Sequence, residues 1–460
     1  MNNIEFEEIF DRKEIQHDKA TIVLEPKKGY FEDDIYAFSF NNINFDNIKI
    51  RNNIITYKNK KIIFSEIHDE VKRIYFHNCT FRGVFACKGY TEFGLKFKNC
   101  FIESMSFVFI SIREENKSHK LSNTIDFVNT NINFLHIYGS TFHNKFYFNN
   151  QNDLYTKKNM KAKIGMVSIK ESTFNENFKI HKTEIENIDI KGVDFKKNVD
   201  FFKSVFINGK SDKKGTSTTD IVFNGINING LSIFEECDFK QKLILKYVTF
   251  SGLAQFREAT FNKGFNLDRT NTEKEMNFYA VKGLDTEKSI KETSQETYRI
   301  IKYNCQRIGS IIDANRYHTL ELQKRKEELG NYVGKDFNKI FLYDTDEKIY
   351  HGSWFDWIIF KINWHSSKFG TSWIRTLILI MLVGIITPIT MYPKEFIFLL
   401  DNVSFIFENK VFFLTIIFKY MAITNYEVLK EYPIIFFFNK VSLGYLYYQF
   451  VTAVRKDTRK

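Results

Sequence analysis

Five cysteines are the residues of this sequence whose chemistry depends most on spacing. They are Cys79, Cys87, Cys100, Cys237 and Cys305. Their number is odd, and no two of them are spaced as C-x-x-C, the spacing that zinc ribbons and thiol redox sites use. In a chain of 460 residues, this favours neither a disulfide scaffold nor a zinc site. It indicates a reducing cytoplasmic environment.

The remaining polar residues predict no catalytic site. The sequence has no phosphate-binding glycine loop, no histidine or cysteine cluster with metal-ligand spacing and no nucleophile motif. The adjacent acidic pairs Glu7-Glu8, Asp33-Asp34 and Glu235-Glu236 are typical of a solvated surface. We therefore expect no enzyme activity, and no cofactor, metal ion or catalytic residue.

Two lysines stand in apolar segments near the C-terminus. Lys419 lies in Val411–Ile423, and Lys440 lies in Pro433–Val454. A lysine at the centre of a bilayer costs about 3 kcal/mol, so an intramembrane lysine normally faces protein or water. Together with Trp373, these lysines are the predicted residues of a membrane pore or interface.

The part of the chain before these apolar segments contains a repeat. Eight six-residue strings start with an apolar residue, carry a small or slim residue fourth and end in phenylalanine, as in IKESTF at 169–174. Their phenylalanines are predicted to point into one core: Phe81, Phe142, Phe174, Phe195, Phe206, Phe239, Phe250 and Phe261. The strings alternate in steps of two, which indicates short strands, and stacked rungs of about 20 residues would bury a continuous apolar column.

This pattern resembles the pentapeptide-repeat family, in which a central Leu or Phe follows a small residue by two positions. The resemblance implies a degenerate right-handed β-helix with four sides, a β-solenoid, over residues 35–285, after an N-terminal cap or tail at 1–34. A β-sandwich with phenylalanine-rich strands is the alternative fold. The strings ETYRIIKYNCQRIGSIIDANRYHTLELQKRK, SSKFGTSWIRTLI and YLYYQFVTAVRKDTRK resemble the connector and the membrane region of those family members that end in membrane segments.

An α-helical connector is predicted for residues 286–345. A capping box, Thr293-Ser294-Gln295-Glu296, begins one amphipathic helix with Thr293 as its N-cap. The helix continues to about Leu329, where Gly330 is a C-cap signal. We expect its apolar stripe to cap the β-solenoid or to pair with another chain.

An α-helical membrane domain with about two transmembrane helices is predicted for residues 346–460. Trp373–Tyr392 is an apolar run of about 20 residues, enough to cross a hydrocarbon core, and Pro433–Val454 is the second candidate. Basic residues flank the first and follow the second, which places both flanks in the cytoplasm. Because the N-terminus carries no signal-peptide pattern, we expect a bacterial inner-membrane protein with a cytoplasmic β-solenoid. Three crossings, including Val411–Ile423, are the alternative.

The composition leaves two functions open. The net charge of +11 is compatible with anionic lipid or nucleic acid, but DNA mimicry needs an acidic surface, so nucleic acid is disfavoured. We expect a lipid bilayer and another protein as partners, and allow for a homo-oligomer. The predicted function is a membrane-anchored β-solenoid that acts as a binding or scaffolding module. The alternative is an oligomeric, channel-like pore gated by the solenoid domain, although Thr424–Val428 lacks the glycines of a potassium filter.

Overall fold

The chain divides into two compact units, Met1–Ile308 and Gly309–Lys460, named here the β unit and the helical unit. The structure is a computed structural model, and the two units are described one at a time. The described residues are 15–17, 20–22, 25–27, 35–41, 44–51, 54–57, 60–63, 71–91, 94–112, 124–150, 162–210, 219–335, 354–391, 410–424 and 432–458. The predicted N-terminal cap or tail at 1–34 therefore lies largely outside the described residues.

The β unit is built of short and long strands followed by two helices. In chain order the strands are β1 (Ile15–His17), β2 (Ala20–Ile22), β3 (Glu25–Lys27), β4 (Ile35–Asn41), β5 (Asn44–Phe45), β6 (Ile48–Arg51), β7 (Ile54–Tyr57), β8 (Lys60–Ile63), β9 (Val71–His77), β10 (Thr80–Thr91), β11 (Gly94–Lys98), β12 (Phe101–Ile112), β13 (Ile125–Val128), β14 (Asn131–Tyr138), β15 (Thr141–Phe142), β16 (Phe146–Asn149), β17 (Ala162–Phe174), β18 (Phe178–His181), β19 (Thr183–Phe195), β20 (Val199–Asp200), β21 (Val205–Asn208), β22 (Ile221–Ile228), β23 (Ser232–Ile233), β24 (Asp238–Phe239), β25 (Leu243–Phe250), β26 (Ala254–Gln255), β27 (Thr260–Phe261), β28 (Phe265–Thr272) and β29 (Met276–Asn277). The helices are α1 (Glu287–Glu292) and α2 (Gln295–Arg307).

The strands form two large sheets in which nearly all neighbours run parallel. One sheet has 16 strands and the other has 11. Among the described strands, antiparallel pairing is confined to β1–β2, β3–β4, β6–β7 and β7–β8. Parallel sheets need apolar residues to cover their inner faces, and the phenylalanine-rich strings supply them.

The predicted four-sided β-solenoid is wrong as a description of this fold. The structure assigns the strands to two large parallel sheets and a helical C-terminal part, and the described strands give no closed coil with four short faces. Strands β17 and β19 each run for 13 residues through the left-handed residues Glu171 and Gly192, so the sheet pairing continues across corners where the strings predicted separate short strands. A four-sided coil instead requires an unbroken five-residue step, which this sequence rarely keeps.

The eight motif phenylalanines stand in two columns of the larger sheet rather than in one. Phe142, Phe174 and Phe195 are register partners on successive strands. Phe206 and Phe239 are register partners in the second column, which continues to a third phenylalanine on β27. The rings stack directly in both columns, at 4.8 Å between Phe142 and Phe174 and at 4.9 Å between Phe206 and Phe239.

The third residue of every six-residue string has a left-handed backbone, with φ between 49° and 64°. These residues are Asn78, Gly139, Glu171, Gly192, Lys203, Glu236, Tyr247 and Glu258. The turn drives the next, small residue into a crowded corner. There Ser140 Oγ donates to the Phe107 carbonyl at 3.2 Å and accepts from the Ile110 N–H at 3.3 Å. The fourth residue is therefore small because the corner has little room. Where it is a serine, its hydroxyl forms hydrogen bonds with buried backbone groups.

Helix α2 covers the last strands of the β unit. The Thr297 hydroxyl accepts from the Leu267 N–H at 2.9 Å, and the Asn304 side chain accepts from the Met276 N–H at 2.8 Å. Tyr298 and Ile301 are fully buried beneath the helix. Side chains thus replace the next strand, which protects an edge that would otherwise pair with another chain.

The predicted single helix from Thr293 to Leu329 is two helices. Helix α2 ends at Arg307, and Gly309 has a φ of +81° that breaks the helical path. Its N-cap is Ser294, which accepts from the Thr297 N–H at 3.1 Å. Thr293 faces the sheet, where its hydroxyl accepts from a strand N–H.

The helical unit contains five described helices. They are α3 (Ile311–Lys335), α4 (Trp354–Ser367), α5 (Trp373–Met391), α6 (Lys410–Met421) and α7 (Pro433–Thr458). Ile380 of α5, Met421 of α6 and Leu443 of α7 share one apolar core. Within the unit, α3 reaches α4 through Lys326, whose ammonium lies 4.4 Å from the centre of the Trp364 ring.

Candidate functional site

The motif phenylalanines are placed where they can support a site but cannot form one. All eight are buried, with at most 2% of each side chain exposed. Their rings contact other rings of the same core, as Phe195 does with Phe174 at 5.1 Å. Any binding by the β unit therefore uses the outward side chains of the same strands.

One outward column of the larger sheet is strongly basic, and it is named here the basic stripe. Its nine register positions are Arg51, Lys88, Val108, Tyr138, Lys170, Lys191, Asn224, Lys246 and Arg269. Six of these nine residues are lysine or arginine and none is acidic. Because neighbouring strands lie about 4.8 Å apart, the stripe is a nearly straight row about 38 Å long.

Acidic side chains lie beside the middle of the stripe, where one of its lysines is paired. Asp189 is an acidic neighbour, and its carboxylate lies 3.0 Å from the Lys170 ammonium. Burial and the Lys170 charge lower the pKa of His136. A hydrogen bond with Glu171 raises the pKa of Tyr138.

Exposed aromatic residues flank the stripe at the left-handed corners. Phe109 is 56% exposed and lies edge-on to Tyr138 at 5.2 Å. Tyr247 is 54% exposed, and its hydroxyl accepts from Arg269 at 2.6 Å. Aromatic and arginine side chains are enriched where proteins bind one another, so the rings and the two arginines suit an interface, whereas the four lysines of the stripe supply positive charge that attracts an acidic partner.

The cysteines offer no chemistry in the folded chain. All five are buried and unpaired by disulfides. Burial raises the pKa of the Cys87 and Cys237 thiols, and a hydrogen bond with Cys79 followed by burial raises that of Cys100. Among the described residues, no group of three or more His, Cys, Asp or Glu side chains could hold a metal ion.

In the helical unit, the structure gives Lys440 a role that the sequence did not suggest. Its ammonium donates to the Ala422 carbonyl at 2.6 Å, just beyond the end of α6. Tyr447 donates to the Met421 carbonyl at 3.2 Å, and Asn439 donates to the Thr387 hydroxyl at 2.7 Å. Helix α7 therefore caps the C-terminal carbonyls of α6, which carry the negative end of that helix's dipole.

The other two predicted membrane residues are Lys419 and Trp373. Lys419 is in the last turn of α6, and its side chain is exposed. Trp373 begins α5, and its ring lies edge-on to Phe450 of α7 at 6.5 Å. Trp373 therefore contacts α7 ten positions beyond Lys440, whereas Lys419 lies one helical turn before Ala422, whose carbonyl Lys440 contacts.

The turn between α4 and α5 is a second polar centre that sequence reasoning missed. Lys368, Phe369 and Gly370 have positive φ in succession. Ser367 holds them by donating to Gln449 at 2.8 Å and by accepting from the Gly370 N–H at 2.8 Å. The run SSKFGTSW at 366–373 carried the signal, because small hydroxyl residues around a glycine are typical of a tight turn.

Helix α5 has the length and hydropathy of a membrane span. It contains 19 residues with a mean hydropathy of 2.1, and it is the one described helix that is long and apolar enough to cross a membrane. Helix α6, with 12 residues, is about 18 Å long and too short to cross. Helix α7 has 26 residues but includes Asn439 and Lys440.

The fold and its surfaces define a mostly parallel β protein with a C-terminal helical part that contains one candidate membrane span. Comparison with known protein families, curated proteins and solved structures finds no match for the chain. The resemblance to pentapeptide-repeat proteins therefore stays a prediction from the residues.

The basic stripe could have been found in the sequence. Lys170, Lys191 and Lys246 each occupy the second position of a six-residue string, next to an inward apolar residue. A shared second position on stacked strands places the side chains in one outward column. Arg51 and Arg269 lie outside the strings, so their place in the column needed the observed register.

Proposed function

We propose that this chain is a membrane-anchored binding module. The β unit presents the basic stripe to the acidic face of a partner protein, and the helical unit fixes it to a bilayer. The observation that carries the proposal is the stripe itself: six cations in a nearly straight row, flanked by exposed aromatic rings. Such a row gives both electrostatic attraction and a fixed register for a partner.

Membrane anchoring is supported by α5 and by the charges around it. Lys361, Lys368 and Arg375 precede or begin the span, and basic residues end α7. The bias of lysine and arginine towards the cytoplasm supports a cytoplasmic position for these basic flanks, and we place the β unit on the same side. Two crossings, α5 and α7, are consistent with that arrangement.

An oligomeric pore is the second candidate. It is favoured by α6, because a helix too short to cross packs along the candidate span α5 and ends against α7, as a pore helix would. The contact between Lys440 and the Ala422 carbonyl argues for a capping role within one chain and against a lysine that lines water. We therefore prefer the binding module.

Binding of an acidic probe tests the proposal. Full-length chain in detergent is titrated into a fluorescent polyglutamate peptide, and anisotropy is measured at several salt concentrations. We expect binding that weakens with salt, and at least about a tenfold loss in the variant Lys88→Glu with Lys191→Glu, which corresponds to about 1.4 kcal/mol.

A charge-matched variant is the control. Lys197 and Lys263 are exposed lysines outside the stripe, and their reversal to glutamate changes the total charge equally. The proposal predicts that this control binds within about twofold of the native chain, since distant exposed charges are screened. Equal losses in both variants, or tighter binding of duplex DNA than of the peptide, would overturn a specific acidic protein partner.

A further inference from the structure

The helical unit has an open cavity of about 580 Å³ between α4, α5 and α7. Its α5 wall consists of Leu379, Leu382, Val383 and Ile386. Leu446 of α7 closes it further, and none of the lining residues is acidic. The cavity is therefore an apolar groove along the helix that has the properties of a membrane span.

The groove has one cation and one histidine on its α4 side. Lys361 and His365 both line it and are one helical turn apart. The Lys361 ammonium lies 4.5 Å from the centre of the Trp357 ring, which holds it in place. A ligand in this groove would meet positive charge beside an otherwise apolar wall.

Two hydroxyl groups that line the groove are paired with each other. The Ser366 and Tyr445 hydroxyls lie 3.2 Å apart within hydrogen-bonding distance. These two hydroxyls therefore need no hydrogen bond from a ligand. Leu382 and Ile386 remain exposed on the same helix face, so the groove is continuous with a surface suited to lipid.

We propose that this groove binds one acyl chain of an anionic phospholipid, whose phosphate is held by Lys361 and His365. The apolar wall takes the chain, the Lys361 ammonium attracts the anionic headgroup, and the His365 ring can donate a hydrogen bond to the phosphate. Charge complementarity distinguishes this occupant from a zwitterionic lipid. The site is independent of the basic stripe, because it lies wholly in the helical unit.

Native mass spectrometry of the full-length chain in detergent tests this site. The chain is mixed with phosphatidylglycerol or with phosphatidylcholine of the same chain length, and bound lipids are counted. We expect one phosphatidylglycerol to be retained at least about tenfold more tightly. The variant Lys361→Gln with His365→Gln should lose this preference, whereas Arg455→Gln, which removes an exposed cation outside the groove, should keep it.

Steric blocking provides a test that leaves charge unchanged. Leu382→Trp fills the groove and should abolish retention of both lipids, whereas Leu414→Trp, at a similarly exposed leucine of α6, should not. Inorganic phosphate at equal concentration should not displace the lipid. Equal retention of the two lipids by the native chain, unchanged binding in Leu382→Trp, or displacement by phosphate alone would overturn the assignment.

Discussion

The ring of Phe174 lies 4.8 Å from the ring of Phe142, and the two planes are 5° apart. Phe195 continues the same column at 5.1 Å from Phe174. Each ring fills the space above its neighbour, so the stacked rings fix the register of successive strands. The same register fixes the spacing of the outward side chains on these strands, including those of the basic stripe.

Truncating the middle of this column should destabilise the β unit strongly. Phe174→Ala leaves a cavity between two stacked rings, and we expect a loss of about 3–5 kcal/mol. All five cysteines lie in the β unit, so thiol labelling during guanidinium unfolding reports on that unit alone. Phe134→Ala, which removes an exposed ring, is the control and should change stability by less than about 1 kcal/mol. Equal effects in the two variants would contradict the stacked core.

The left-handed corners should discriminate between side chains. A Cβ at Gly192 would meet nothing closer than 3.8 Å, so its φ of +64° alone decides the effect. Gly192→Ala should cost about 1–2 kcal/mol, and Gly192→Asn should cost less because asparagine tolerates this conformation. The same thiol-labelling assay measures both variants. An alanine variant as stable as the asparagine variant would show that the corner is not left-handed.

The native cysteines should be inert. Burial raises the pKa of Cys87 and Cys237, so little thiolate forms at neutral pH and reagents cannot reach it. A thiol reagent should label none of the five in the folded chain and all five in guanidinium. Mass spectrometry counts the labels. Rapid labelling of any cysteine before unfolding would contradict the buried placement.

Removing the Lys440 cap should destabilise the helical unit. Lys440→Met leaves the Ala422 carbonyl without its charged donor, and we expect a loss of about 1–3 kcal/mol. All four tryptophans lie in the helical unit, so tryptophan fluorescence during unfolding reports on that unit. Arg455→Met is the control and should have little effect. A fully stable Lys440→Met chain that also conducts ions differently in bilayers would favour the pore.

The sequence predicted inward phenylalanines and apolar C-terminal segments, because burial and hydropathy are carried by residue type. It could not predict the corners, since glutamate, lysine and tyrosine rarely adopt a left-handed backbone. Residues such as Glu171 and Tyr247 do so because the stacked core on either side determines their path. The four-sided β-solenoid was inferred from the six-residue strings alone. The strings do not specify how far each strand continues or which sheet it joins.

The candidate sites depended on contacts that no local pattern specifies. Lys440 was predicted as a membrane residue, but its partner lies 18 positions earlier, on the carbonyl of Ala422. Thr293 and Ser294 are both good N-cap residues, and the sheet edge selected Ser294 by engaging Thr293. Only the strand register showed that distant cations such as Arg51 and Arg269 belong to one row.

A charge swap of the stripe tests the central claim most directly. In the full-length chain, Lys88, Lys191 and Lys246 are changed together to glutamate, and thiol labelling confirms that the β unit remains folded. Anisotropy is then measured with polyglutamate and with polylysine peptides of equal length. The account predicts that the native chain binds polyglutamate and not polylysine, and that the swapped chain loses its binding of polyglutamate, because the stripe then carries as many acidic as basic residues. A folded, swapped chain that still binds polyglutamate as tightly as the native chain would contradict it.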